Sequence, residues 1–316
     1  MSSLREDSIP HEQRTAAEPR QQGLYPVHLS RVEQVNPSIR LLQFTVPANG
    51  NNPWPNHPPV ENELVPQPFT FQPGQWLDVH IPSVANAGGF TITSTPADAA
   101  GPSPFVELAV QDSPSNPPAA WLWKPAEEIL GQQVNIRVGG SFTWPPPGID
   151  TSIVNNVLLL AGGVGINPLI SILSHLNNEW QDTRQLNIKF FYSSRLPRGH
   201  ESSDLNTILE QVLFLPRLRE IIHSQRISQR LNLSLHLFFT DLPTERFATK
   251  ELADLTLHPR RISKQDISAA VTGSNDLSGT VSYICGPPAM TDEMVDVLQS
   301  LLGDQGDKRV FYEKWW

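Results

Sequence analysis

The chain has 316 residues, of which 39% are hydrophobic and 17% charged, enough apolar material for two domain cores rather than one. Its 23 Lys and Arg stand against 32 Asp and Glu, a net charge of −9 with no basic run, which argues against nucleic acid or an anionic membrane surface as a partner. A single cysteine, Cys285, and nine scattered histidines exclude an internal disulfide, an iron–sulfur cluster and a thiolate zinc site, and no metal site is expected. A redox role for such a chain requires a dissociable organic cofactor.

Residues 1–23 are polar and lack the apolar stretch of a secretion signal, and they are expected to form a disordered tail. Glu6, Asp7, Glu12 and Glu18 argue against a strong mitochondrial presequence, so the expected compartment is cytoplasmic or mitochondrial. The longest apolar runs, such as "VLLLA", are too short for a transmembrane segment. The Asn232-Leu233-Ser234 sequon reads as a coincidence inside a strand.

Residues 24–147 carry short alternating runs separated by Pro, Gly and Asn: "YPVHLSRV", "SIRLLQFTV", "QWLDVHI", "FTITS", "FVELAV" and "VNIRV". Six such runs predict an antiparallel barrel or sandwich, with the Pro/Asn-rich residues 46–68 as a loop. Within it, "GGFTITSTP" places Phe90, Ile92 and Ser94 on one face and Thr91, Thr93 and Thr95 on the other. Two glycines ahead of a strand imply that something approaches the backbone closely.

From residue 148 to 316, past "WPPPGID", strand and helix patterns alternate, which predicts a doubly wound α/β domain with a largely parallel sheet. "LLLAGGVGINPLISIL" reads as a buried strand, a turn through Gly162, Gly163, Val164, Gly165 and Ile166, and a helix with Asn167 as N-cap and Pro168 first inside it. Such a turn lets a pyrophosphate reach backbone N–H groups at a helix start, although a tight capped turn would look the same. Further on, "SYICGPPAM" ends a strand at Cys285 and turns through Gly286, Pro287 and Pro288 into a helix near Met290. In a doubly wound sheet both turns fall at the ligand-bearing strand ends, while Cys285 by residue type alone is a small buried hydrophobe.

These two turns, in this order and at this separation, resemble the ferredoxin–NADP reductase and cytochrome b5 reductase superfamily. "FQPGQWLDVHIP", "GGFTITSTP", "GGVGINPLISIL" and "FYEKWW" are similar, within it, to the oxidoreductase NAD-binding domain-containing group. The resemblance implies a six-stranded flavin barrel (24–147) followed by an NAD(P)-binding domain (148–316). It puts Gly89, Phe90, Thr91, Ile92 and Ser94 along a flavin, with Phe90 stacking on the ring and Thr91 near N5. Gly88 and Ala119 replace the Arg and Ser that hold the flavin's phosphates, so FAD is expected to bind weakly, with FMN as an alternative and Lys124 or Arg137 as substitute cations.

By the same resemblance, Cys285 and Glu313 line the hydride path, and Trp315 or Trp316 covers the flavin. Ser194 and Arg195, after the second strand of the nucleotide domain, permit either NAD or NADP. The implied function is an oxidoreductase that passes hydride from NAD(P)H to a bound flavin and electrons on to an unidentified acceptor. The alternative is a non-catalytic NAD(P)-binding sensor or assembly module with weakened flavin binding.

Overall fold

Runs in which every second residue is apolar, and continuous apolar runs followed by helical repeats, sort the chain into two different sheets. The computed structural model describes residues 9–47, 68–82, 84–180, 184–196, 205–241, 249–273 and 277–315. The chain divides into two compact units, Met1–Gln34 with Ser38–Thr143 and Val35–Pro37 with Trp144–Trp316.

The first unit contains α1 (His11–Arg14), β1 (Tyr25–Asn36), β2 (Ile39–Thr45), β3 (Trp76–His80), β4 (Gly88–Thr91) and α2 (Pro96–Ala100). It continues with β5 (Phe105–Gln111), α3 (Pro117–Leu122), α4 (Ala126–Ile129) and β6 (Gln133–Gly139). The six strands run in the order β4-β3-β6-β1-β2-β5, and an antiparallel bridge from Ile92 to Leu108 joins the two ends into a barrel. Leu77, Val79, Ile92, Leu108, Ile136 and Val138 are fully buried and fill it.

The expectation of a disordered tail is not met over residues 9–23. Pro19 accepts from the Gly140 N–H just past β6, Gln21 donates to the Val138 carbonyl on β6, and Arg20 bridges Gly139. Sequence composition predicted disorder because the segment is polar, but its polar groups have a buried counterpart. Asp78, fully buried on β3, contacts Arg20 Nε at 3.0 Å, Arg137 at 2.8 Å and His11 Nε2 at 3.4 Å, and Arg137 also reaches Glu12 at 3.0 Å. A carboxylate out of water needs such partners, and two of its contacts come from the supposed tail.

The second unit contains β7 (Asn156–Gly162), α5 (Ile166–Glu179), β8 (Leu186–Ser194), α6 (Leu205–Glu210), α7 (Leu215–Ser228), β9 (Leu231–Phe239), β10 (Lys250–Glu251) and β11 (Thr256–His258). It ends with α8 (Lys264–Thr272), β12 (Thr280–Gly286), α9 (Pro288–Leu302), α10 (Gly306–Arg309) and β13 (Val310–Lys314). The sheet order is β10-β11-β9-β8-β7-β12-β13, parallel except for the β10–β11 pair. β7 and β12 lie side by side in its interior, so the turns that follow them are neighbours. Among the described residues no helix is long and apolar enough to cross a membrane.

Candidate functional site

The parallel register pairs Cys285 with Ala161 on one side and with Glu313 on the other. The glycine turn, the Cys-Gly-Pro-Pro turn and the end of β13 therefore emerge together at the carboxyl edge of the sheet. The two turns are packed into each other. A Cβ on Gly165 would lie 2.1 Å from the Cys285 carbonyl oxygen, and one on Gly162 would lie 2.7 Å from Met290 Sδ and 2.8 Å from Pro287 Cδ. Glycine at those two positions is required by the protein's own backbone. Gly163 differs: it is exposed, has φ +56°, and a Cβ there would meet nothing within 4 Å. It is the open point of the turn, where a ligand can come to the main chain.

The expected N-cap at Asn167 is not the one observed. A short 3₁₀ turn, Gly163–Gly165, runs straight into α5, which starts at Ile166 behind an already helical Gly165 (φ −62°, ψ −7°). Asn167 and Pro168 both lie buried in the first turn, where a proline is tolerated because its missing N–H has no helical partner to lose. α9 likewise starts earlier than the sequence suggested, at Pro288, and the Thr291 hydroxyl donates to the Gly286 carbonyl at 3.2 Å.

Cys285 is fully buried. Burial pushes its thiol well above the usual range, the Glu313 carboxylate adds to this, and a hydrogen bond with Trp315 opposes it. A protonated, enclosed thiol does not act as a nucleophile. Glu313 is half-buried and accepts from Trp315 Nε1 at 3.2 Å, while the Trp315 backbone N–H donates to the Gly286 carbonyl at 3.2 Å, so the C-terminal strand end is tied to the turn. Trp316 lies outside the described residues.

At the end of β8 the Ser194 hydroxyl donates to the Arg195 carbonyl at 3.0 Å, and Arg195 is exposed. Sequence reasoning passed over Asp241, just beyond β9. Its Oδ1 accepts the Leu196 N–H at 2.8 Å, which sets a carboxylate beside Ser194 and Arg195. The available signal was an acidic residue closing a strand of a doubly wound sheet, although on the strand next to the one inspected.

In the barrel, Gly88, Gly89, Ile92 and Ser94 are packed or bonded by other residues of the chain, while the buried Thr91 hydroxyl has no hydrogen-bond partner among the described residues. A Cβ on Gly88 would sit 2.5 Å from the Phe90 ring and 2.5 Å from Pro118 Cβ, and one on Gly89 would sit 2.1 Å from the His11 ring. Thr91 is 2% exposed and its hydroxyl oxygen is shut off from solvent. Ile92 is core, and the Ser94 hydroxyl accepts the Glu107 N–H at 3.0 Å. The Thr93 hydroxyl lies 2.7 Å from Glu107 Oε1, and Thr95 forms a capping box with Asp98 for α2. Of the five residues assigned to a flavin, only Phe90 and Gly89 are other than buried.

Residues 154–299 match the Ferric reductase NAD binding domain family. The human oxidoreductase NAD-binding domain-containing protein 1 is 31% identical over 317 residues, spanning 97% of this chain and 84% of the human one. Its Danio rerio counterpart is 31% identical over 309 residues, spanning 97% of both chains. The chain belongs to the oxidoreductase NAD-binding domain-containing protein 1 family. Its fold is that of a ferredoxin NADP+ reductase from Neisseria gonorrhoeae crystallised with bound FAD and NADP, at TM-score 0.61 and 14% identity over 93% of this chain and 99% of that one. For this member of the oxidoreductase NAD-binding domain-containing protein 1 family, the matched NAD-binding segment includes both interlocked turns and Asp241.

Proposed function

We propose that the chain is an NAD(H)-dependent oxidoreductase that binds its dinucleotide across the carboxyl ends of β7 and β12. The observation that carries this reading is the open Gly163 turn at the start of α5, locked by Gly165 and Gly162 against the Cys285–Met290 turn. Backbone N–H groups and the helix dipole there suit a pyrophosphate, and membership in a family named for NAD binding supports the same ligand. NADH is favoured over NADPH because Asp241 places a carboxylate at the end of the adjoining strands, where a 2′-phosphate would be repelled and a ribose diol could be bonded.

In this reading the nicotinamide end lies toward Cys285 and Glu313. Cys285 supplies an uncharged, water-free wall, and Glu313, oriented by Trp315, supplies a carboxylate beside the developing positive charge on the ring as hydride leaves C4. The protein's contribution is orientation and electrostatics, and the hydride leaves for an exchangeable acceptor. The test is oxidation of NADH by the full chain with added riboflavin or quinone, both acceptors of two electrons, each followed by loss of NADH absorbance. Turnover with at least one acceptor is expected.

A second reading, a non-catalytic dinucleotide-binding sensor or assembly module, is favoured by the closed state of the strand Gly88–Thr91. Tight NADH binding with no turnover on any of these acceptors would select it.

A further inference from the structure

We infer that the barrel holds no resident flavin, because the chain's own residues occupy the places from which its phosphates and ring would be held. Three independent features lead there, all within the first unit. Gly88 stands where a phosphate-binding cation would project, and the space in front of its Cα is filled by the Phe90 ring and Pro118. A side chain at residue 88 cannot be accommodated without displacing both.

The second feature is the start of α3. Its first two residues, Pro117 and Pro118, have no N–H, and the next N–H, from Ala119, is directed at Asn116 Oδ1 at 3.4 Å, while that of Ala120 goes to the Asn116 carbonyl at 2.8 Å. A helix start ordinarily offers three or four free donors to an anion; this one has given up all of them. The third feature concerns replacements. Arg137 is committed to Asp78 and Glu12 on the strand face shared with Gly89, opposite to that of Gly88. Lys124 follows the carboxyl end of α3, six residues past Pro118. The residues between 48 and 67, outside the described structure, contain no Lys or Arg.

The strand face of Gly89 and Thr91 is covered as well. His11 covers Gly89 edge-on to Trp76, with ring centroids 4.6 Å apart, and Thr91 is enclosed beneath the same face. Each charge-assisted phosphate contact is worth roughly tenfold or more in affinity, so losing the cation and the helix donors together removes retention of FAD or FMN through purification.

The inference extends the oxidoreductase reading by making the acceptor a dissociable molecule, and it is tested on the full chain without any substitution. The freshly purified protein is examined for visible flavin absorbance and then titrated calorimetrically with FAD, FMN, riboflavin and NADH in separate experiments. Expected are a colourless protein and flavin dissociation constants all weaker than about 100 μM, with NADH bound more tightly than any of them. A yellow protein with near-stoichiometric flavin, or FAD or FMN bound at micromolar levels, would overturn the inference. Failure to bind NADH would count against the dinucleotide reading, which the flavin titrations leave separately visible.

Discussion

In the proposed reading, Asp241 favours NADH over NADPH, and Gly88 leaves no cation for a flavin phosphate. The Asp241 carboxylate is fixed by the Leu196 N–H next to Ser194 and Arg195. Replacing Asp241 with Asn keeps the hydrogen-bond acceptor and removes the charge. The ratio of NADPH to NADH affinity should then rise about tenfold, measured by competitive titration, because a like-charge contact is lost while the ribose contact persists. An unchanged ratio would remove Asp241 from the binding surface. Gly162 and Gly165 were legible as a turn motif in the sequence, but not the reason for them, which is the Cys285 carbonyl and Met290 packed against them from a segment far along the chain. Gly88 and Gly89 suggested a ligand near the backbone. The approaching groups are Phe90, Pro118 and His11, and no local pattern could have distinguished a ligand from a neighbour.

Among elements, the N-terminal segment from Pro10 to Gln21 was least legible, because what orders it is one buried carboxylate on a strand over fifty residues away. Arg20 ties it down twice, through Asp78 and by lying over the Trp76 ring at 4.8 Å. Arg20→Ala should destabilise the chain by about 1.5–3 kcal/mol in urea unfolding, the range for a hydrogen bond to a charged group. A cost near zero would mean the segment adds nothing to the barrel.

Two histidines give this architecture a pH dependence. His11 and His258 are each lowered from 6.5 to about 4, chiefly by burial. Their folded pKa lies below the unfolded one, so the folded state favours the neutral ring. That stabilisation is complete above pH 6.5 and is lost as pH falls from 6.5 toward 4. His258 stacks on Phe238 at 4.3 Å and shares a 3.2 Å N···N contact with His236. His258→Phe, which retains the stack, should make the fall in thermal midpoint between pH 6.5 and 4 shallower; an unchanged slope would place the titrating group elsewhere. By contrast, β7, β8, β12 and α5 were visible in advance, since continuous apolar strands and a helical repeat after a glycine turn report burial on both faces directly.

At the scale of the molecule, the sequence separates an alternating first half from a strand–helix second half, and each becomes a unit with its own core. The family resemblance carried the fold across both. In the second, the residues proposed to meet a dinucleotide lie together at one sheet edge. In the first, Gly88 is packed by Phe90 and Pro118, and Pro117 and Pro118 open α3 without N–H groups, neighbours that the sequence alone does not display.

The most direct test is calorimetric titration of NADH into the chain and into Gly163→Val, with Gly303→Val as control. Both glycines have positive φ, +56° and +60°, and open space where a Cβ would go, so each variant places a β-branched residue at positive φ. Only Gly163 lies at the proposed pyrophosphate contact. NADH affinity should fall at least about tenfold in Gly163→Val and stay at the unsubstituted level in Gly303→Val. Equal affinity in all three proteins would contradict dinucleotide binding at the β7–β12 turns.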